Sequence, residues 1–275
     1  MSEHFGVLAG SDEVGAAWFE DISRRILQES ALLIGGRPYR LREIEFYYNG
    51  GDHPDPFAHG DPVQQTTGRW YFHRDQGSYR GGSFKGLDIT FGPEGVVGGI
   101  LIRSMSGPDG EEVNGSCLCV DHMLARTGMA NVAALDAAHG ERKVWEEGGP
   151  LRLVPASLPA LPMWSTARVG LTLKRAWQHE EMPSYIMRPY RFLTEPRWIK
   201  KGKLHLVIAL HQQGRGVAEI NALTGTPRGT IQGYVDKYQE GLALDTLKGF
   251  RGKALDNDDL ATLHGAWTRR FVQEA

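Results

Sequence analysis

The sequence predicts a mixed α+β fold: a strand-rich part followed by an all-helical part. Three observations carry that prediction. Residues 43–48 place Ile44, Phe46 and Tyr48 on one side and Glu43, Glu45 and Tyr47 on the other, the period-2 pattern of a half-buried strand. Further strand-like runs follow at 69–73, 86–91 and 98–103. After Lys203 no strand alternation appears, and helical patterns continue to the end of the chain.

In chain order, residues 16–29 read as an amphipathic helix, with Trp18, Ile22, Ile26 and Leu27 near helical spacing. The strand around Glu45 comes next. Residues 49–63 are dense in Gly, Pro, Asp and Asn and read as a loop. Residues 116–127 read as a helix, and 154–161 as a proline-containing connector. Four helices are expected within 203–214, 216–225, 226–242 and 257–273. Asp256 to Asp259 stand at the start of the last, where the helix dipole favours acidic groups. The domain boundary is placed near 203, giving domains 1–203 and 204–275.

Bulk composition narrows the classes. The chain has 275 residues, 41% hydrophobic and 23% charged, which suits one large or two smaller globular domains. The formal net charge of −2 excludes a global polybasic surface, so any anion-binding surface must be local. The two cysteines, Cys117 and Cys119, are too few for a disulfide framework or a zinc knuckle and read as small buried hydrophobes. The start of the chain lacks the pattern of a secretory signal. The apolar run Leu206–Leu210 is too short to span a bilayer. A cytoplasmic protein without membrane association is expected.

Chemistry first shows in the strand around Glu45 and the loop ending in Phe57-Ala58-His59. Two readings of Glu45 stand: a solvated carboxylate on an exposed strand face, or a general base beside aromatic rings and a histidine. The second grouping suits hydrolysis of a glycosidic bond to a flat, stackable leaving group. Asp52, His53, Asp55, His59 and His73 admit a metal-binding reading, but their spacing matches no ligand pattern, so no metal is expected.

The run DISRRILQESALLIGGRPYRLREIEFYY resembles the start of the alkyladenine (3-methyladenine) DNA glycosylase domain, in which a helix leads into a strand bearing an E-x-Y motif. Here that motif is Glu45-Phe46-Tyr47, and the loop histidine is His59. GGILIRSM resembles the family's strand ending in a functional arginine, here Arg103. VWEEGGPLRL, TARVGLTLKR and PYRFLTEPRWI resemble later segments in the family's order, so the likeness spans roughly residues 18–200.

The resemblance implies a curved antiparallel, barrel-like sheet and hydrolysis without a cofactor or covalent lysine intermediate. It implies that Glu45 deprotonates the attacking water, that Arg103 holds the water and the carboxylate, and that Tyr47 and His59 clasp a flipped-out base. Tyr79 would stand in for a further stacking tyrosine, Phe84 for the ring that wedges into the DNA stack, and Asp88 for a base-screening asparagine. Gly81, Gly82 and Gly86 would widen the pocket. The implied partner is double-stranded DNA carrying a modified base, of the 3-methyladenine type or bulkier.

Between residues 186 and 215 lie Arg188, Arg191, Arg197, Lys200, Lys201, Lys203 and Arg215 against a single acid, Glu195. Such a cluster suits phosphate contact. GRGVAEINALTGTPRGTIQGYVDKY resembles a resolvase- or homeodomain-like helix-turn-helix, with Arg228, Thr230, Gln232 and Lys237 facing DNA. The alternative function is a DNA-binding regulator whose glycosylase-like domain is not catalytic.

Overall fold

The computed structural model describes residues 2–9 and 14–273. Residues 1 and 10–13, part of the stretch read for a secretory signal, lie outside the described residues. The protein divides into two compact units.

The first unit comprises residues 1–54, 58–163 and 192–194. Helix α1 (Ala16–Gln28) leads into strands β1 (Ser30–Ile34) and β2 (Arg37–Gly50). Strands β3 (Trp70–Phe72), β4 (Leu87–Thr90) and β5 (Val97–Ser106) follow. Then come helices α2 (Ser116–Thr127) and α3 (Val132–His139) and strand β6 (Leu151–Pro155). The hydrogen-bonded path across the sheet runs β6–β1–β2–β5–β4–β3 through antiparallel pairs. The strand β7 (Arg191–Thr194), whose last three residues belong to this unit, also pairs with β2. The path ends at β6 and β3 without joining them, so the expected barrel-like closure is corrected to an open sheet.

The two faces of the sheet differ because the strand period is two. Ile44 stands opposite Ile102, Phe46 opposite Ile100, and Ile89 opposite both Ile100 and Trp70. All six are buried. Helix α1 lays Phe19, Ile22, Ile26 and Leu27 against this unit's core, and Phe19 stacks on Phe46 with ring centroids 4.5 Å apart. Each such side chain contributes about 1.5–3 kcal/mol by leaving water. With the apolar set committed to that face, Glu43, Glu45 and Tyr47 must project from the other.

The second unit comprises residues 55–57, 164–191 and 195–275. Its longer helices are α4 (Lys203–Gln212), α5 (Val217–Thr224), α6 (Arg228–Leu242) and α7 (Asn257–Thr268), so each of the four expected helices is present. Gly225 ends α5 at φ +67°, a left-handed position that favours glycine, and α6 begins three residues later. The side-chain amide of Asn221 spans that turn to the Thr226 carbonyl at 2.8 Å. Asp256 caps α7 through a reciprocal bond with Asp259. Among the described residues, no helix is long and apolar enough to cross a membrane.

This unit takes in residues upstream of 203. Leu173, Met182, Ile186 and Met187 share one buried cluster with Leu247, Phe250, Leu263 and Ala266. Asp55 and Arg168, both fully buried, form a two-pronged ion pair with distances of 2.5 and 3.2 Å. Deleting residues 204–275 should therefore leave 164–191 without its apolar partners. The truncated chain is expected to bind a hydrophobic dye and to be cleaved within 164–191. Unchanged protease resistance there would show that these residues hold their structure alone.

Candidate active site

A single row of side chains crosses the polar face of the first unit's sheet. Glu45 on β2 stands opposite Leu101 on β5, Leu101 opposite Asp88 on β4, and Asp88 opposite Tyr71 on β3. Cross-strand partners share a face, so these four strands bring Glu45 and Asp88 to the same side. Tyr47 stands opposite Gly99, one pleat further along that face.

The register between β2 and β5 shifts twice between Leu41 and Ile44, which leaves Arg103 without a directly opposed residue. A bulge of this kind re-aims a side chain. Arg103 is buried and reaches two carboxylates: Nε to Glu43 Oε1 at 3.0 Å and Nη1 to Glu45 Oε2 at 3.3 Å. Burial opposes the charge on Arg103, but Glu45 and then Glu43 outweigh it and hold its pKa above the ordinary arginine value. The Tyr47 hydroxyl donates to Glu45 Oε2 at 2.8 Å. Glu45 is 0% exposed, so its reading as a solvated carboxylate is corrected. An open strand face and a covered one share the same alternation, so the pattern by itself left both readings standing.

Beside this cluster lies a second polar group. His73 Nε2 and Asp88 Oδ1 are 2.7 Å apart, and Gln64 Nε2 donates to Asp88 Oδ2 at 3.2 Å. Asp88 is 1% exposed, and both of its oxygens are occupied. The His59 ring lies 4.3 Å from His73 and 6.2 Å from Tyr71 between centroids. The protein packed around His59, then the neighbouring His73, lower its pKa to about 4, with the Asp88 carboxylate opposing them. Burial pushes Tyr71 up to about 12, so its hydroxyl keeps its proton.

Two glycines make this group possible. A Cβ on Gly99 would come within 2.6 Å of Asp88 Oδ2 and 2.8 Å of Gln64 Nε2. A Cβ on Gly86 would lie 2.4 Å from the His73 ring. Gly86 therefore makes room for a histidine rather than enlarging an empty pocket, whereas Gly81 and Gly82 border open space.

Other expected residues are placed as follows. Tyr79 donates to Asp136 of α3 at 2.6 Å and lies under Arg74, whose guanidinium is 4.8 Å from the ring centroid. That engagement ties it to an ion-pair cluster. Phe84, in the turn Gly82–Phe84, is 71% exposed, and Leu118 on α2 is 55% exposed. The Cys117 thiol binds the Gly82 carbonyl at 3.1 Å and so ties that turn to α2. Glu43, Gln64 and His73 were not singled out as site residues from sequence. The second carboxylate on the Glu45 strand face was the available signal for Glu43. His73 was weighed only as a metal ligand, and nothing local marked Gln64.

In the second unit, Arg191 is corrected from a phosphate-facing residue to a structural one. It is fully buried, and its guanidinium donates to the carbonyls of Gly202 and Lys201 at 3.0 and 2.9 Å. Arg188 is half-buried, donates to the Tyr190 hydroxyl at 3.0 Å and lies 4.2 Å from the Tyr185 ring centroid. Arg197, Lys200 and Lys201 are exposed, as are Arg228, Thr230 and Gln232 at the start of α6. Gln232 donates to Asp236 at 2.8 Å, and Lys237 pairs with Glu240 at 2.8 Å. The Lys203 ammonium donates to the Thr224 carbonyl at 2.7 Å, beside the turn that precedes α6. Among the described residues no group of three or more His, Cys, Asp or Glu side chains is arranged to hold a metal ion.

The position of Asp88 sets an expectation for a variant. Because its oxygens hold His73 and Gln64, Asp88→Asn should slow any reaction at this site on every substrate equally, by disordering His73. Rates on matched substrates would decide this. A change in preference among bases without a general loss would place Asp88 in direct contact with substrate.

No protein-family model matches the sequence. The chain is similar to uncharacterized protein L759 of Acanthamoeba polyphaga mimivirus, with 30% identity over 205 residues, covering 69% of this chain and 91% of that one.

Proposed function

Because the chain belongs to the family of that mimivirus protein, whose name carries no activity, we propose its function from its own residues: a monofunctional DNA glycosylase. It hydrolyses the N-glycosidic bond of a flipped-out damaged or modified base. The observation that carries this reading is the buried Glu45 carboxylate, bonded by Arg103 and Tyr47 on the same sheet face as the His73–Asp88 pair.

Cleavage of this bond develops positive charge at C1′ of the sugar. A carboxylate that cannot be solvated by bulk water stabilises that charge strongly. Glu45 accepts a proton from water as the water oxygen bonds to C1′, and the C1′–N bond breaks with its electron pair going to the base. Arg103 offsets the negative charge of the buried Glu45 through its 3.3 Å ion pair. His73, fixed by Asp88, is placed to protonate or hydrogen-bond the leaving base. With its hydroxyl committed to Glu45, Tyr47 offers its ring face for stacking, and His59 stands on the neighbouring side near His73.

Binding follows the same logic. An extruded base leaves a gap in the DNA stack, and the exposed Phe84 and Leu118 supply apolar side chains to fill it. The pair α5–α6 supplies a helix-turn-helix with Arg228, Thr230 and Gln232 toward DNA, and Arg197, Lys200 and Lys201 contact phosphates.

The deciding experiment incubates the protein with duplexes carrying single modified purines and detects abasic sites. Release of a base supports the reading, and no release from any duplex in a broad panel removes it. A finer test uses Tyr47→Ala. It should weaken binding to the released lesion by about ten- to a hundredfold, because stacking on one base face is worth roughly 1–3 kcal/mol. Undamaged DNA should bind as before. Equal losses on both would remove Tyr47 from the base pocket.

A further inference from the structure

The second unit contains a cavity of about 480 Å³, a volume within the range of small-molecule sites. Helices α4, α6 and α7 wall it through Ala209 and Gln212, Tyr238, and His264, Trp267 and Thr268. The buried Met187 completes the apolar part of the wall.

Three features describe what fits there. The first is charge: among the described residues, no Asp, Glu, Lys or Arg lines the cavity. Its one titratable imidazole, His264, is pushed down to about 3 by burial and stays neutral across the physiological range. A phosphate or carboxylate would lose its hydration without gaining a cation. The second is shape and polarity. Indole, phenol, imidazole and thioether groups suit a planar, polarisable ligand. The Gln212 amide spends its Nε2 on Thr268 Oγ1 at 2.9 Å and the Tyr238 hydroxyl at 3.3 Å, which orients it and leaves its Oε1 as an acceptor. The third is backbone geometry. Past Thr268, α7 passes into a π-helical segment, Arg269–Gln273, whose Val272 and Gln273 line the cavity. Such segments are rare and recur at functional sites.

We infer that this cavity binds a small uncharged heteroaromatic molecule of the nucleoside type, through stacking on aromatic walls and hydrogen bonding to Gln212. The site is built from side chains separate from Glu45 and its partners and does not depend on base release.

Calorimetric titration of the full-length chain tests it, with adenosine and guanosine as uncharged probes and AMP as the charged one. At least one nucleoside should bind saturably at one site per chain, and AMP at least about tenfold more weakly. Ala209→Trp fills the cavity and should abolish binding. Gln212→Leu should weaken it about tenfold, the cost of one hydrogen bond. Tyr47→Ala should leave nucleoside affinity unchanged, which separates this site from the first unit's. The inference is overturned if neither nucleoside binds, if AMP binds as well as its nucleoside, or if Tyr47→Ala rather than Ala209→Trp removes binding. Should Ala209→Trp lose its helical circular-dichroism signal, Gln212→Leu decides alone.

Discussion

Glu45→Gln should lower base release by about 10²- to 10⁴-fold while leaving DNA affinity within about twofold. Glutamine keeps the shape of glutamate and can still accept the Tyr47 hydroxyl bond. It cannot take a proton from water or oppose the charge that develops at C1′. The chemical step alone loses its stabilisation, so kcat should fall with little change in substrate binding. Single-turnover rates and equilibrium binding, measured on the same duplex, separate the two. Near-normal turnover would remove Glu45 as the base. A matched loss of binding would instead point to collapse of the Glu43–Arg103–Glu45 cluster.

Arg103→Met should destabilise the first unit by about 3–5 kcal/mol, the usual cost of stripping one member from a buried ion cluster. Methionine matches much of the side-chain volume, so lost packing contributes little, and the penalty comes from Glu43 and Glu45 left facing each other out of water. That origin gives the penalty a pH signature. Protonating a carboxylate removes the uncompensated charge, so in the variant the native state binds protons that the unfolded state releases. Its deficit against wild type should then grow as pH rises and shrink as pH falls. Denaturant titrations at several pH values, with unchanged slopes, would read this directly. A deficit independent of pH would mean that Arg103 acts through packing.

These two expectations concern residues that the sequence marked with different clarity. Glu45 was noticeable because it shares a strand face with Glu43 and Tyr47, in a chain whose opposite alternation is apolar. Arg103 ends a similar run on a strand far along the chain, and its meeting with Glu45 depends on the pairing of β2 with β5 and the bulge between them. Gln64 carries no local signal, and His73 reads from sequence only as a candidate metal ligand, because the role of both comes from Asp88, which neither adjoins in sequence. The row Glu45–Leu101–Asp88–Tyr71 draws on four strands.

The sequence by itself determined the local elements. The period-2 run specified β2, the helical spacing of Ile22 and Ile26 specified α1, and the four C-terminal helices and the Gly225 turn were all legible. These are short-range properties, set by side-chain period, capping and allowed backbone angles. Only the tertiary structure decided that the sheet stays open, that Glu45 is buried rather than solvated, and that Arg191 serves its own backbone rather than a phosphate. It also decided that residues 164–191 share a core with the helices beyond 203. Each of these depends on which distant segment covers a given face. Periodicity reports that a face is apolar or polar, but burial of a polar group is settled by partners that only the folded chain brings within hydrogen-bonding distance.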